Sequence, residues 1–496
     1  MVAVDSYPPD DSRILHTDVM AKPFDLIILG SGSTAFAAAL RAQELGKSVL
    51  MAEERTIGGT CANRGCLPSK NLIEAAKRIF DARHPRYPGL VPARLQFDFE
   101  QLIAQKDAIV TSYREKKYDS LVGEKILIEH GHALFADAHT IDVDGKHFTG
   151  KTILIATGSR PVLPDIRGLA DVPYLTSDLL TSGEAVELKR LPRSLLVVGS
   201  GYVALELGQM FHRLGVDVTL LEQSERLLSR GGHEPEVGHT IRRIFDSEGI
   251  EVLTQAVAQS VRRDRDGIVA TVTINGAIRE LAAEQLLVAT GRRPNSDGIA
   301  IERAAVLVGE HGHICVDETL RTNVHHIFAA GDVIGQETGS QMATPVGSQD
   351  GGIAADNALS GRPLRCVDHR VVPRVIFVDP PIAVVGMTEV EAVAAGRACW
   401  CRSLALELVP RAAAIRDTRG FVKMIADANT HEVLGVTMVG NSAAEVIHEA
   451  AMALRFRATL LDFIEQLHVY PTMAEALKIV AISRFKDPAK LSCCAQ

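Results

Sequence analysis

Short apolar runs of strand type, each closing on a glycine turn, set the frame of this chain. Phe24 to Leu29 runs into Gly30-Ser31-Gly32-Ser33-Thr34-Ala35 and then an alanine-rich stretch of helical spacing. A second strand, Ser48 to Ala52, ends at Glu53. The same unit recurs: strand Leu195 to Val198, turn Gly199-Ser200-Gly201-Tyr202-Val203-Ala204, then Val216 to Leu221 leading to Glu222. Glu53 follows Gly30 by 23 positions, and Glu222 follows Gly199 by the same 23. Each is a strand–turn–helix–strand fingerprint of the G-x-G-x-x-A form. The first glycine (Gly30, Gly199) permits a tight turn. The second (Gly32, Gly201) lets backbone amides approach a pyrophosphate at the helix start, with Ala35 close behind. Glu53 and Glu222 are placed to bind a ribose hydroxyl.

The duplication extends further. Ile153 to Pro161, through Thr157-Gly158, closes the first unit, and Leu286 to Pro294, through Thr290-Gly291, closes the second. Ile327 to Asp332 reads as a returning strand, followed by a Gly/Ala-rich helix over 347–359 that suits close packing against a cofactor. Asp332 stands where it can either cap that turn or meet a ligand. From about Val371 strands dominate (Val375–Phe377, Ile382–Gly386, Phe421–Ile425, Val433–Val439), with helices at Ser442–Arg455 and Leu460–His468. The expected class is α/β: two Rossmann-like dinucleotide-binding domains and a C-terminal α+β domain.

Candidate chemistry enters at Gly58-Gly59-Thr60-Cys61-Ala62-Asn63-Arg64-Gly65-Cys66-Leu67-Pro68-Ser69-Lys70. Pro-Ser-Lys is expected to open a helix over Asn71–Phe80. The cysteines stand five positions apart, a little over one helical turn, so both sulfurs can share one end of the helix. Helix-start amides and Lys70 would stabilise a thiolate there. Two buried apolar cysteines are the competing interpretation, and a glycine-rich loop makes a poor core.

With 496 residues the chain is long enough for two to four domains. The net charge of −8, with Lys and Arg spread along the chain, points away from nucleic acid. No apolar run approaches a membrane span, and the acidic, proline-bearing start lacks a signal-peptide pattern. A cytoplasmic protein with a loose tail over 1–22 is expected. The 8 cysteines are too few and too unevenly placed for a disulfide framework. Cys399-Trp400-Cys401 has the look of a chelate but reads as structural. Cys315, Cys366 and His325-His326 read as packing or surface residues.

The Gly-Gly-Thr-Cys to Pro-Ser-Lys segment resembles the redox-active segment of the flavin disulfide reductases, and the resemblance runs from about Phe24 to the C-terminus. It implies FAD and NADPH or NADH as cofactors. It also implies an FAD domain over 23–185 with a return segment at 311–370, an NAD(P) domain at 186–310, and a dimerisation domain at 371–496 that lends residues to its partner. Gly59, Thr60, Lys70, Thr157, Gly158, Gly291 and Asp332 fall at cofactor-binding positions, with Asp332 on the ribityl chain. Lys70 and Glu206 resemble the family's ion pair beside the flavin, and Cys66 the sulfur that faces it. No Cys-x-x-Cys precedes Cys61, so the extra N-terminal metal-binding module of some relatives is not expected.

The substrate is written where this chain departs from its relatives. Members that reduce organic disulfides carry His-x-His-Pro-Thr-x-x-Glu; this chain has His468-Val469-Tyr470-Pro471-Thr472-Met473-Ala474-Glu475. The frame and Glu475 remain, but Tyr470 replaces the acid–base histidine, and a phenol of pKa ~10 shuttles protons poorly at neutral pH. The chain ends Cys493-Cys494-Ala495-Gln496, a pair suited to capturing a soft cation. Cys61/Cys66, Tyr470 and Cys493-Cys494 together resemble the branch that reduces mercuric ion, with Tyr174 at its second active-site tyrosine or else an ordinary half-buried one. That resemblance implies Hg(II) bound by Cys61, Cys66, Cys493 and Cys494, low-molecular-weight thiols as carriers, and a homodimer. A thioredoxin-reductase-like enzyme and a non-catalytic thiol metal-binding protein are the alternatives. Glu222 favours the free 2′-hydroxyl of NADH; Arg226 and Arg230 could still hold the phosphate of NADPH, the family default.

Overall fold

The computed structural model describes residues 22–118, 121 and 125–490. A five-stranded parallel sheet forms the first unit in the order Ile327–Ala329, Ile153–Ile155, Leu26–Leu29, Val49–Glu53, Ile126–His130. Leu26, Ile27, Ile28 and Leu29 are all buried, as a strand covered on both faces requires. The returning strand Ile327–Ala329 completes this sheet from far along the chain, so the second unit is inserted within the first.

The second unit repeats the plan with the parallel order Glu251–Leu253, Asp217–Leu221, Ser194–Val198, Gln285–Val288. Beside it lies an antiparallel sheet of Ala256–Asp264, Gly267–Ile274 and Ala277–Ala283, which the sequence pattern did not single out. The duplicated closing segments pair with each other: Ser159–Pro161 runs antiparallel to Arg292–Pro294, with Arg160 opposite Arg293. Val162 N–H donates to Gly291 C=O and Asn295 N–H to Gly158 C=O, both at 2.9 Å. Thr157 Oγ1 donates to Asn295 C=O (2.6 Å) and Thr290 Oγ1 to Val162 C=O (2.9 Å).

The helix expected from residue 347 begins earlier, at Thr344, and reaches Leu359. Gly347 and Gly351 pack against a neighbouring helix. A Cβ on Gly347 would stand 2.6 Å from Thr34 Oγ1, and one on Gly351 would collide with the Thr34 carbonyl. The small residues let this helix lie directly on Ser33–Glu44.

The C-terminal unit is an antiparallel sheet ordered Arg374–Ile376, Ile382–Gly386, Val433–Val439, Phe421–Asp427, Cys399–Ala405. Helices Ala443–Arg455, Leu460–Glu465 and Glu475–Ile482 pack on it around Met424, Met438, Ile447 and Leu477. Leu460–Glu465 is shorter than expected because Gln466 turns extended.

Asp379 marks where all three units meet, and its side chain is almost fully enclosed. Lys77 Nζ lies 2.6 Å from Oδ1, and Arg213 Nη2 and Arg419 Nη2 lie 2.9 and 3.3 Å from Oδ2. Arg213 also pairs with Glu248 at 2.6 Å, and Arg419 with Asp417 at 2.7 Å. Among the described residues no helix is long and apolar enough to cross a membrane.

Candidate active site

Gly58 and Gly59 take φ of 111° and 65°, a left-handed turn that side chains disfavour. A short helix, Gly59–Asn63, follows and carries Cys61. The next helix spans Cys66–Arg83, one turn earlier than the expected Asn71. Pro68 does not delay it, because proline in the first turn has no intrahelical donor to lose. Asn63 ties the loop down, its Nδ2 donating to the carbonyls of Thr56, Ile57 and Gly59 at 3.2, 2.9 and 3.0 Å. The loop presses on the first glycine turn: a Cβ on Gly59 would lie 2.6 Å from Gly32 Cα.

Both cysteines are reduced, Cys61 half-buried and Cys66 exposed. A hydrogen bond from Cys61, then Lys70 and Thr344, hold the Cys66 thiol down at about 6 against the opposing effect of burial. The same hydrogen bond, followed by burial, pushes Cys61 up. Cys66 is the first residue of its helix, where free amides also favour a thiolate. Thr344 Oγ1 lies 3.8 Å from Cys66 Sγ.

One turn into the helix, Lys70 Nζ donates to Glu206 Oε2 at 2.7 Å. Glu206 Oε1 accepts from Phe377 N–H at 2.8 Å, and Lys70 Nζ stands 4.8 Å from the Phe377 ring centre. A residue from each unit thus joins in one cluster beside the dithiol.

Sequence reasoning missed Arg292. Burial lowers its pKa, opposed by the charges of Asp332, Asp178 and Cys66. Its Nε donates to Ser159 Oγ at 2.8 Å and its Nη2 to Ser159 C=O at 2.7 Å. Ser159 Oγ donates in turn to Asp332 Oδ2 at 2.6 Å. Comparing the two closing segments could have found it, since Arg292 occupies the duplicate position of Ser159. Asp332 is not the N-cap; Ala330 is, leaving the carboxylate to this polar chain.

Both dinucleotide turns fit their expected ligands. Gly30 and Gly199 take φ of 104° and 113°, and a Cβ on either would collide with the carbonyl of Ala156 or Ala289. A Cβ on Gly158, Gly201 or Gly291 would meet nothing within 4 Å, so these backbones face open space beyond the strand ends. Ala35 is buried behind the first turn, and the Thr60 carbonyl accepts from Arg64 N–H at 3.0 Å. Glu53 Oε2 accepts from Ser31 Oγ at 2.5 Å, and Glu222 accepts likewise from Ser200. Thr157, by contrast, spends its hydroxyl on Asn295.

Beyond Glu222 a cleft of about 460 Å³ is lined by Ser224, Glu225, Arg226, Ser229 and His239. With the Gln223 amide turned so that its oxygen faces Arg230, it accepts from Nη1 and Nη2 at 3.1 and 3.0 Å. Tyr174 is half-buried against the cluster of Ile166, Leu169, Val172 and Leu286. Tyr470 is 44% exposed. Glu475, buried, accepts from Thr472 N–H at 3.1 Å, and His468 Nε2 lies 2.9 Å from Glu449. Cys493 and Cys494 lie outside the described residues.

Two dinucleotide turns flanking a thiol–thiolate pair define the class. Residues 24–351 match the pyridine nucleotide-disulphide oxidoreductase family and residues 372–481 its dimerisation domain, so the chain belongs to that family. It is an oxidoreductase whose cofactors are FAD and NAD(P)H. Within the family it is 45% identical to a mercuric reductase of Streptomyces lividans, over 95% of this chain and 98% of the relative. It is 41% identical to that of Lysinibacillus sphaericus, over 95% and 84%. A dihydrolipoyl dehydrogenase of Geobacillus stearothermophilus is 33% identical, over 91% and 94%. Among solved structures, the HOCl-induced flavoprotein disulfide reductase RclA from Escherichia coli superposes with a TM-score of 0.81 at 28% identity, covering 93% of this chain and all of that one.

Proposed function

We propose that this chain reduces thiol-bound Hg(II) to Hg(0) at the expense of NAD(P)H, acting as a cytoplasmic homodimer. The observation that carries the reading is Tyr470 in an otherwise retained Pro471-Thr472-x-x-Glu475 frame, in a chain 45% identical to a mercuric reductase of Streptomyces lividans. Reduction of an organic disulfide needs a proton for the leaving thiol. A soft cation needs sulfur ligands instead, and the phenol of Tyr470 serves as a hydrogen-bond donor or weak oxygen ligand.

FAD, when bound, supplies the two-electron link between NAD(P)H and the metal. Gly30, Gly32, Gly59, Thr60, Gly158 and Asp332 would hold it, and Gly199, Gly201, Glu222 and Gly291 would hold the nicotinamide coenzyme. Lys70, held by Glu206, keeps a positive charge beside the dithiol. Cys66 enters as the standing thiolate and attacks the incoming Hg(II). Cys61 keeps its proton until it binds, then gives it to the departing thiol, so each S–Hg bond formed releases one outgoing sulfur. Cys493 and Cys494 of the partner subunit capture the ion first and hand it inward by the same exchange. The metal takes two electrons, and Hg(0) leaves because thiolate no longer holds it. Tyr174 is proposed as a second tyrosine at this site. Glu222 sets a preference for NADH, with Arg226 and Arg230 as the groups able to hold a 2′-phosphate.

The test replaces Cys493 and Cys494 by alanine and measures NAD(P)H oxidation and mercury vapour with Hg(II) held by excess thiol. A large fall in turnover is expected. Unchanged turnover removes the tail from the mechanism, and absence of vapour from the unmodified enzyme overturns the reading.

A further inference from the structure

The edge strand Cys399–Ala405 carries two thiols that no step above uses. Cys399 and Cys401 are both half-buried, lie two residues apart and so share one face of the sheet. Their sulfurs are 3.4 Å apart. They pack against Ala392, Ile425 and Leu434, while Trp400 packs on the opposite core. The backbone is held by its ladder, Cys399 opposite Asp427 and Cys401 opposite Ile425.

Three uses of such a pair can be compared. As a nucleophile at neutral pH it is slow: burial, then the hydrogen bond with Cys399, then Glu389, raise the Cys401 thiol to about 12. The thiolate is both the nucleophile and the metal ligand, so only a cation thiophilic enough to displace the protons can use the pair. As a disulfide it is poorly spaced. Cα atoms two residues apart on a strand stand roughly 6.4–6.8 Å from each other, the far end of the ~4.4–6.8 Å that disulfides span, and the ladder resists shortening. A single metal atom between the sulfurs lengthens the bridge and removes that conflict. Thiolates select soft cations. Among the described residues no group of three or more His, Cys, Asp or Glu could hold a metal ion, so the cation must accept two ligands, which excludes a closed tetrahedral zinc site.

We propose that Cys399 and Cys401 form a second soft-metal site, holding one two-coordinate thiophilic cation of the Hg(II) type per subunit, apart from Cys61 and Cys66. Two S–H bonds break and two S–metal bonds form. Two protons go to solvent or, when the ion arrives as a dithiolate complex, to the two thiols that leave. Nothing is oxidised or reduced, and where the protons go to solvent binding strengthens as pH rises. The site goes beyond the proposed reduction and does not depend on it, because its readout is occupancy rather than turnover.

The experiment uses the full-length holoenzyme without nicotinamide, titrated with mercuric chloride and then treated with iodoacetamide at alkaline pH, for long enough that the metal-free pair alkylates fully, with the peptide around residue 400 mapped by mass spectrometry. Alkylation of Cys399 and Cys401 is expected to fall together by about tenfold or more. The double variant C399S/C401S is expected to bind one Hg(II) fewer per subunit while retaining its FAD and its Hg(II)-driven turnover. Equal alkylation of the pair with and without metal, or equal stoichiometry in the double variant, overturns the proposal. Should the double variant not fold, C401S alone decides: Cys399 must lose its protection, and a Cys399 still shielded by mercury is not half of a chelate.

Discussion

Replacing Asp379 by asparagine removes one negative charge from the point where three units meet and leaves the shape of the side chain nearly unchanged. Lys77, Arg213 and Arg419 then face a neutral amide, with Arg213 and Arg419 keeping Glu248 and Asp417 as partners. Breaking a buried ion pair by removing one partner costs about 3–5 kcal/mol. The remaining carboxylates place this variant at the lower end, about 3 kcal/mol. At roughly 2 °C per kcal/mol for larger domains, the first thermal midpoint of the holoenzyme falls by roughly 6 °C. Burial alone would raise the Asp379 pKa, but Arg213, Lys77 and Arg419 reverse this and hold it well below the usual carboxylate range. Because the folded-state value is the lower one, the stabilisation is fully present above the unfolded carboxylate's ~3.9 and is lost as pH falls toward the folded value. The gap between wild type and D379N should therefore be constant near neutrality and close in acid. Scanning calorimetry across pH checks both statements. A D379N midpoint equal to that of wild type at pH 7, or a gap that widens in acid, refutes the argument.

Three further outcomes are expected. C61A removes the hydrogen bond that most lowers Cys66, so the thiolate titration, followed by ultraviolet absorbance, should move from about 6 toward the ordinary thiol value of ~8.5. In G59A a Cβ 2.6 Å from Gly32 Cα is added to a residue at φ 65°. The left-handed backbone alone costs about 1–2 kcal/mol, and the purified variant should show a reduced ratio of flavin to protein absorbance. E222A removes a negative charge beside the expected 2′-position, worth on the order of 1 kcal/mol between charges about 4 Å apart in water. The ratio of kcat/KM for NADPH over NADH should rise by roughly fivefold or more, and a fall would reverse the role given to Glu222.

The glycine turns were legible because their conformations are forced. A position that needs φ above 100°, as at Gly30 and Gly199, can be read from one residue and its spacing. Cys61 and Cys66 were legible for a similar reason, as a short local motif. Asp379 was not, because its cations lie at positions 77, 213 and 419 and only the folded chain assembles them. Arg292 was hidden in a pair of arginines whose different directions depend on strand pairing across the domain junction. Gly347 and Gly351 were read as suiting close packing against a cofactor, because composition shows a need for close approach but not its partner. The approach is to Thr34 on another helix.

The pairing of Ser159–Pro161 with Arg292–Pro294 carries a consequence for the origin of the fold. Four bonds across it form two pairs with the roles of the two copies exchanged: Val162 to Gly291 with Asn295 to Gly158, Thr157 to Asn295 with Thr290 to Val162. The bonds of Arg292 to Ser159 and of Arg160 to Asn295 and Asp297 have no such counterpart. Arg160 faces Arg293, its own duplicate. The junction is therefore isologous, with a local two-fold axis passing between those arginines. The four paired bonds use only groups that both copies carry, so two copies of one such unit would make them with each other. Fusion of the two genes would have preserved an existing symmetric dimer inside one polypeptide.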